Sequence, residues 1–153
     1  LKRAGAQRVR KLVLDDLGSI KKLEGTADRV LVDAPCSGIG VWRRHPEARW
    51  RLTLKRLDQH VEEQKSILAA AAKLIKLGGR LVYVTCSLLD QENQQQITTF
   101  LADHLDFKLM PVKEIWARSV GTECPTAGNE LRLSPATTNT DGFYCAVMER
   151  KAS

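Results

Sequence analysis

Cys36 and Cys86 each stand where a thiol can act on a substrate. Cys36 lies in Asp33-Ala34-Pro35-Cys36-Ser37-Gly38, directly after the apolar run Val30-Leu31-Val32. Cys86 lies in Thr85-Cys86-Ser87, directly after Leu81-Val82-Tyr83-Val84, with Glu92-Asn93 a few residues on. Short continuous apolar runs of this kind are buried parallel strands. Open α/β sheets bind ligands and react at the carboxyl ends of such strands. Two thiols at two strand ends therefore point to covalent chemistry on a substrate. If the two strands are neighbours, ~4.8 Å apart, both thiols face one pocket with Asp33 beside them. A helix beginning near Asp90 would aim its amino terminus at that pocket and lower a thiol pKa.

The other cysteines read differently. Cys145 lies inside an apolar strand, where a free cysteine is a small buried hydrophobe. Cys124, beside Pro125 in a loop, is incidental. A thiol redox or metal-binding protein using Cys36 and Cys86 is an alternative, but their separation by 50 residues is not that of a short redox motif. No C-x2-C or Cys/His spacing of a zinc site occurs, and with 3 His in the chain no metal is expected. Ser37-Gly38-Ile39-Gly40 lacks the third glycine of a dinucleotide fingerprint.

The segment Val41 to Arg51 interleaves Trp42 and Trp50 with Arg43, Arg44, Arg49, Arg51 and His45. Arginines pair with phosphates and aromatic rings stack on unpaired bases, so it is a candidate RNA contact. The competing reading is a solvated loop whose tryptophans anchor in the core. The net charge of +6 and pI of 9.3 favour an anionic partner. Asp15-Asp16, at the end of a strand candidate, can accept hydrogen bonds from a ligand amine, as it can cap a turn.

The elements that position these residues follow from pattern. Val9 to Leu14 and Arg29 to Val32 are strand candidates, the second apolar on both faces, and Lys21 to Thr26 is a polar connection broken by Gly25. Thr53 caps a long helix from Leu54 to Leu77, with Leu54, Leu57, Val61, Leu68, Ala71 and Ile75 at helical spacing. Gly78-Gly79 closes it as a left-handed cap. Arg80 to Thr85 is the next strand. Asp90 caps a helix carrying Ile97, Phe100 and Leu101. Phe107 to Val112 is a weaker strand, residues 113–140 are irregular, and Gly142 to Glu149 is the last strand. Alternating strands and helices indicate an α/β sheet. With 153 residues and 43% hydrophobic content there is enough for one core. No apolar stretch reaches the ~18 residues of a membrane span, and no signal peptide or disulfide framework is evident. The expected compartment is the reducing cytoplasm.

The chain resembles the carboxyl-terminal part of the catalytic domain of the bacterial Sun-type ribosomal-RNA cytosine-C5 methyltransferases, from about Arg8 to Arg150. The matching stretches, in order, are Asp33 to Gly38, Arg43-Arg44-His45-Pro46 with Trp50, Gly78 to Tyr83, Thr85-Cys86-Ser87 with Glu92-Asn93, and Thr140-Asp141-Gly142-Phe143. The resemblance implies methyl transfer from S-adenosylmethionine to C5 of cytosine in RNA, 16S ribosomal RNA in particular. It implies that Cys86 attacks C6, that Cys36 helps release the product, that Asp33 lies between cofactor and cytosine, and that Asp16 contacts the adenosine part of the cofactor. An amino-group methyltransferase would show an Asn/Asp-Pro-Pro-aromatic run where Asp33-Ala34-Pro35-Cys36 stands.

The resemblance also implies a Rossmann-like class I methyltransferase sheet of order 3-2-1-4-5-7-6. Residues 1–153 would be its carboxyl-terminal portion, with the first strands and the glycine-rich cofactor loop upstream of Leu1. The strand at Val9 is then expected to be displaced, to pair with the strand at Val30, or to be completed by another molecule. The piece alone is expected to be inactive and to bind S-adenosylmethionine feebly. The alternative at this level is a non-catalytic RNA-contacting fragment.

Overall fold

The computed structural model describes residues 21–152. The strand candidate at Val9 and the Asp15-Asp16 pair lie outside the described residues, and so does the expected rearrangement of the Val9 strand.

Five strands form one sheet. β1 (Ala27–Asp33) runs parallel to β2 (Ile75–Thr85), which runs antiparallel to β5 (Phe143–Arg150). The far edge of β5 is shared end to end by β3 (Phe107–Met110) and the short β4 (Leu131–Leu133), both antiparallel to it. The order β1-β2-β5-β3 is the 4-5-7-6 half of the expected sheet. One antiparallel strand inserted beside parallel neighbours is what a final hairpin-like return of the chain produces.

α1 (Leu54–Leu74) makes the passage between the two parallel strands that a βαβ unit requires. Its amino terminus is capped as expected: the Thr53 hydroxyl accepts the Arg56 N–H at 3.2 Å. Leu68, Ala71 and Ala72 of α1 and Ile97 and Phe100 of α2 (Gln94–Asp103) pack on the inward side chains of the sheet, Val32, Leu81, Tyr83, Tyr144, Ala146 and Met148. Along β2, Leu81, Tyr83 and Thr85 are buried while Arg80, Val82 and Val84 are half-buried, the period-2 signature of a sheet with one well-covered face.

Several local expectations are corrected. α1 ends at Leu74, and the backbone turns extended at Ile75 because Ile75 already pairs with Ala27. Gly78 does take a left-handed φ of 73°, but inside an irregular lead-in to β2 rather than as a helix cap. There Gly79 lies so close to the Ala27 carbonyl that a Cβ would sit 2.9 Å from it. Asp90 does not cap α2. Asn93 occupies that position, and the Asp90 carboxylate instead accepts from Arg132 at 3.0 Å. β1 is not apolar on both buried faces, since Leu31 is 68% exposed. Residues 113–140 are not irregular throughout: they contain α3 (Val112–Ser119), β4 and the single turn α4 (Pro135–Thr138). Ser134 caps α4 by accepting the Thr137 N–H, a short-range device that helical periodicity does not reveal over so few residues.

Candidate active site

β1 and β2 end side by side, with Asp33 paired to Val84 and the Ala34 N–H donating to the Val84 carbonyl at 3.0 Å. Cys36 and Cys86 leave the sheet from these adjacent ends. Their sulfurs are 3.4 Å apart, within reach of an S–H···S hydrogen bond, and both side chains are half-buried. The pair expected from the sequence is therefore one unit.

A buried carboxylate holds the two loops together. Glu92 is 0% exposed. It accepts from the Ser37 N–H at 2.8 Å, the Ser37 hydroxyl at 2.5 Å, the Ser87 hydroxyl, and the Gln64 amide at 3.2 Å. Ser37 follows Cys36 and Ser87 follows Cys86, so the two hydroxyls clamp the two thiol loops onto one oxygen. Each hydroxyl has a single proton; with both directed to Glu92, the 3.2 Å Ser37–Ser87 contact is a consequence of the clamp. No lysine or arginine among the described residues pairs with Glu92, so its charge is met by these four donors.

Further bonds close the frame. Gln64 of α1 also donates to the Pro35 carbonyl at 2.9 Å. Tyr83 donates to the Glu92 carbonyl at 2.7 Å, Thr85 to the Asn93 side chain at 2.6 Å, and Asn93 to the Ser87 carbonyl at 3.0 Å. The Gly40 N–H donates to the Cys86 carbonyl and the Gly142 N–H to the Gly40 carbonyl, each at 2.9 Å. A Cβ on Gly40 would lie 2.3 Å from the Gly142 oxygen, so neither chain can carry a side chain at this crossing.

The thiols are electrostatically unequal. The hydrogen bond from Cys36 lowers the Cys86 pKa to about 7, against an opposing push from burial. The same bond and burial raise the Cys36 thiol well above its ordinary value. The direction of both shifts favours the thiolate on Cys86 and the proton on Cys36. The lowering comes from the partner thiol, not from the terminus of α2 as the sequence suggested. Burial pushes the Cys145 thiol up, in keeping with an inert strand residue. Among the described residues no group of three or more His, Cys, Asp or Glu is arranged to hold a metal, and no helix is long and apolar enough to cross a membrane.

Asp33 is exposed at the mouth of the site, beside Cys86. No donor among the described residues engages its carboxylate. An exposed acid there suits a cationic or amine-bearing group such as S-adenosylmethionine; Asp16 lies outside the described residues. The basic segment divides. Arg43 and Arg44 both pair with the buried carboxylate of Asp141, Arg44 at 2.6 Å. His45 faces Glu47 at 3.6 Å. Arg49 lies over the Trp50 ring at 4.7 Å, and Trp50 is 78% exposed. Trp42 is half-buried, as an anchoring tryptophan is, and Trp50 is not.

Glu92, Ser37, Ser87, Gln64 and Asp141 were given no role from the sequence. Their signal was there in part: a buried-type strand followed by Thr-Cys-Ser and then Glu-Asn is polar where a core should continue. Gln64 had none, being one polar residue on a long helix.

The chain matches the 16S rRNA methyltransferase RsmB/F family model over residues 1–149. It is 43% identical over 121 residues to the ribosomal RNA small subunit methyltransferase B of Sodalis glossinidius, covering 79% of this chain and 25% of that protein. The corresponding protein of Shewanella oneidensis is 41% identical over 120 residues, covering 78% and 26%. The chain thus spans about a quarter of the length of these curated relatives. The crystal structure of NSun6 from Pyrococcus horikoshii with SFG, an S-adenosylmethionine analogue, superposes with a TM-score of 0.76 at 30% identity, over 99% of this chain and 37% of that one. A half-sheet of order 4-5-7-6 with two thiols at adjacent strand ends, matched from residue 1 to residue 149, places this chain in the RsmB/F family of 16S rRNA methyltransferases.

Proposed function

We propose that this chain forms the substrate side of the active site of an S-adenosylmethionine-dependent enzyme that methylates C5 of a cytosine in RNA, 16S ribosomal RNA by its family. The observation that carries the reading is the 3.4 Å thiol pair at the ends of two adjacent parallel strands, with the Cys86 pKa lowered by its partner. C5 of cytosine is a poor nucleophile. The Cys86 thiolate adds to C6, forming an S–C6 bond and giving C5 enamine character. Asp33, at the mouth, holds N3 or the exocyclic amine and favours the adduct. S-adenosylmethionine, when bound against Asp33 and Asp16, supplies the electrophilic methyl group. The C5 proton then leaves to water, its electron pair restores the C5–C6 double bond, and the Cys86 sulfur departs. Cys36 donates its S–H hydrogen bond to that departing thiolate, so the contact that lowers the Cys86 pKa also makes it a better leaving group.

Arg43, Arg44, His45, Arg49 and Arg51 are proposed to face RNA. With Arg43 and Arg44 neutralised in part by Asp141, Arg49 and Arg51 are left as the freer charges. The setting is the cytoplasm. The 153 residues by themselves are proposed to bind S-adenosylmethionine feebly and to be inactive; calorimetry with S-adenosylmethionine should show no micromolar binding, and such binding would overturn this point.

The whole-protein test is trapping. RNA bearing 5-fluorocytosine, incubated with the full-length protein and cofactor, should become linked to Cys86. Cys86→Ala should lose both the adduct and methyl transfer. Cys36→Ala should form adducts that accumulate because release slows. Adducts in the Cys86 variant but not in the Cys36 variant would exchange the two roles. No adduct in the wild-type protein would favour a non-catalytic RNA-contacting module instead.

A further inference from the structure

A cavity of about 180 Å³ opens beside Cys36, between the segment 46–52 and the first turns of α1. It is lined by Cys36, Ser37, Ala48, Arg51, Leu52, Arg56 and His60. Arg56 and His60 are four residues apart on α1 and so share one helix face. Arg51 enters from the segment before the helix, and its carbonyl accepts from the Arg56 guanidinium at 3.1 Å, which draws the two arginines together. No carboxylate lines the cavity. Asp58 lies two residues from Arg56 and faces elsewhere on the helix. The Ser37 hydroxyl spends its proton on Glu92, so the free donors are the two guanidinium groups and the imidazole. This contrasts with Arg43 and Arg44, which are already matched by Asp141.

We propose that this cavity seats a backbone phosphate of the RNA directly next to the target cytosine, held by Arg51, Arg56 and His60. The inference rests on the reading of the chain as an RNA methyltransferase. A forked pair of guanidinium groups suits the oxygens of a phosphate. The placement is geometric: Cys36 is in the cavity wall and also 3.4 Å from the sulfur proposed to bond C6, so an anion in the cavity belongs to the nucleotide at the thiols or to its neighbour. The ligand is a nucleic acid rather than a free anion because Trp50, the chain neighbour of Arg51, is 78% exposed. Apolar surface beside cationic groups is what a base stacking next to its own phosphate requires.

The experiment uses the full-length protein and the substrate RNA, with the cytosine identified by its adduct to Cys86. Arg56→Gln should weaken RNA binding roughly tenfold, as loss of a charge-assisted contact does, and His60→Gln by less. The Arg56→Gln variant should flatten the salt dependence of log K by about 0.7 per lost phosphate contact. KM for S-adenosylmethionine should not change, and Arg56→Lys should recover most of the salt slope. In parallel, a neutral methylphosphonate is placed at each of the two linkages flanking the cytosine. One of them should weaken binding to the wild-type protein at least as much as Arg56→Gln does, and should cost the Arg56→Gln protein less than it costs the wild type. Fully additive losses, a changed KM for the cofactor alone, or no loss with either methylphosphonate on the wild-type protein would each overturn the proposal. Trapping of wild-type Cys86 together with additive losses would leave the enzyme reading intact and remove only this site. An untrapped wild-type protein removes the enzyme reading itself.

Discussion

The two ends of the site are built in opposite ways. At the thiols, the loops after β1 and β2 are fixed by a buried carboxylate with four donors, by backbone bonds through Gly40 and Gly142, and by Gln64 reaching in from α1. A few residues away, the segment from Arg43 to Arg51 is exposed. Among its side chains only Arg43 and Arg44 pair with a buried group, Asp141, and Trp50 projects into solvent. The contrast matches what each region has to do. Two sulfurs must meet one atom pair of a base, and a displacement of even 1 Å there is costly in rate. A surface that follows a flexible polymer gains from long cationic side chains and a free aromatic face instead. Rigidity is therefore concentrated where covalent bonds form, and charge where the strand is gripped.

Changes at the clamp should break this contrast most severely. Glu92→Ala removes the acceptor of the half-buried Ser37 and the buried Ser87 and one of the two acceptors of Gln64, costing about 1–3 kcal/mol for each donor left unsatisfied. Thermal melting should show a large loss of stability. Glu92→Gln keeps the volume but turns one oxygen into a donor facing the donors of Ser37, Ser87 or Gln64. It should leave a folded protein with adduct formation reduced at least a hundredfold. If Glu92→Gln forms adducts at the wild-type rate, the two loops do not depend on the clamp.

A smaller effect sharpens the inequality of the thiols. The thiolate is the reactive form. With the Cys86 pKa at about 7, its alkylation by iodoacetamide should rise through pH 7 and level off above pH 8. Removing the donor in Cys36→Ala should move the midpoint upward, toward the ~8.5 of a free cysteine. At pH 7 that is a fall in thiolate fraction of more than tenfold. A midpoint that stays near 7 in Cys36→Ala would assign the lowering to some other group.

The smallest effects belong to the exposed segment. Arg49→Gln together with Trp50→Ala should leave the melting temperature within the usual scatter of surface changes, about 0.5 kcal/mol, while weakening RNA binding. Asp141→Asn should do the reverse in part. It loosens Arg43 and Arg44, lowers stability by about 1–3 kcal/mol through the lost charge-assisted bonds, and increases local positive charge. A stability loss on changing Arg49 and Trp50 would mean that this segment, too, is part of the frame.

Much of the layout was legible in the chain because it is written in short-range patterns. Apolar runs broken by Pro35 and by Thr85-Cys86 mark two strand ends; a helical repeat from Leu54 marks the crossover between them; and a βαβ crossover of that length leaves parallel neighbours as the natural pairing. Given that pairing, which the structure supplies, Cys36 and Cys86 meet. Where the patterns are brief or locally ambiguous, contact decided. Leu74 ends α1 because Ile75 has a partner on β1. Asn93 rather than Asp90 precedes α2 because Arg132 draws the Asp90 carboxylate away. β4 exists because β5 offers it an edge.

The sequence by itself determined which residues could react and that they would lie at strand ends, since strand periodicity and breakers act over a few residues; the pairing of those strands came from the fold. Only the tertiary structure decided which thiol carries the charge, which carboxylate holds the loops, and which arginines are free. These depend on groups far apart in the chain: Cys36 with Cys86, Ser37 with Glu92, Arg43 with Asp141. Hydrogen bonds and charges act across space at a few ångströms, and no spacing along the chain encodes that distance.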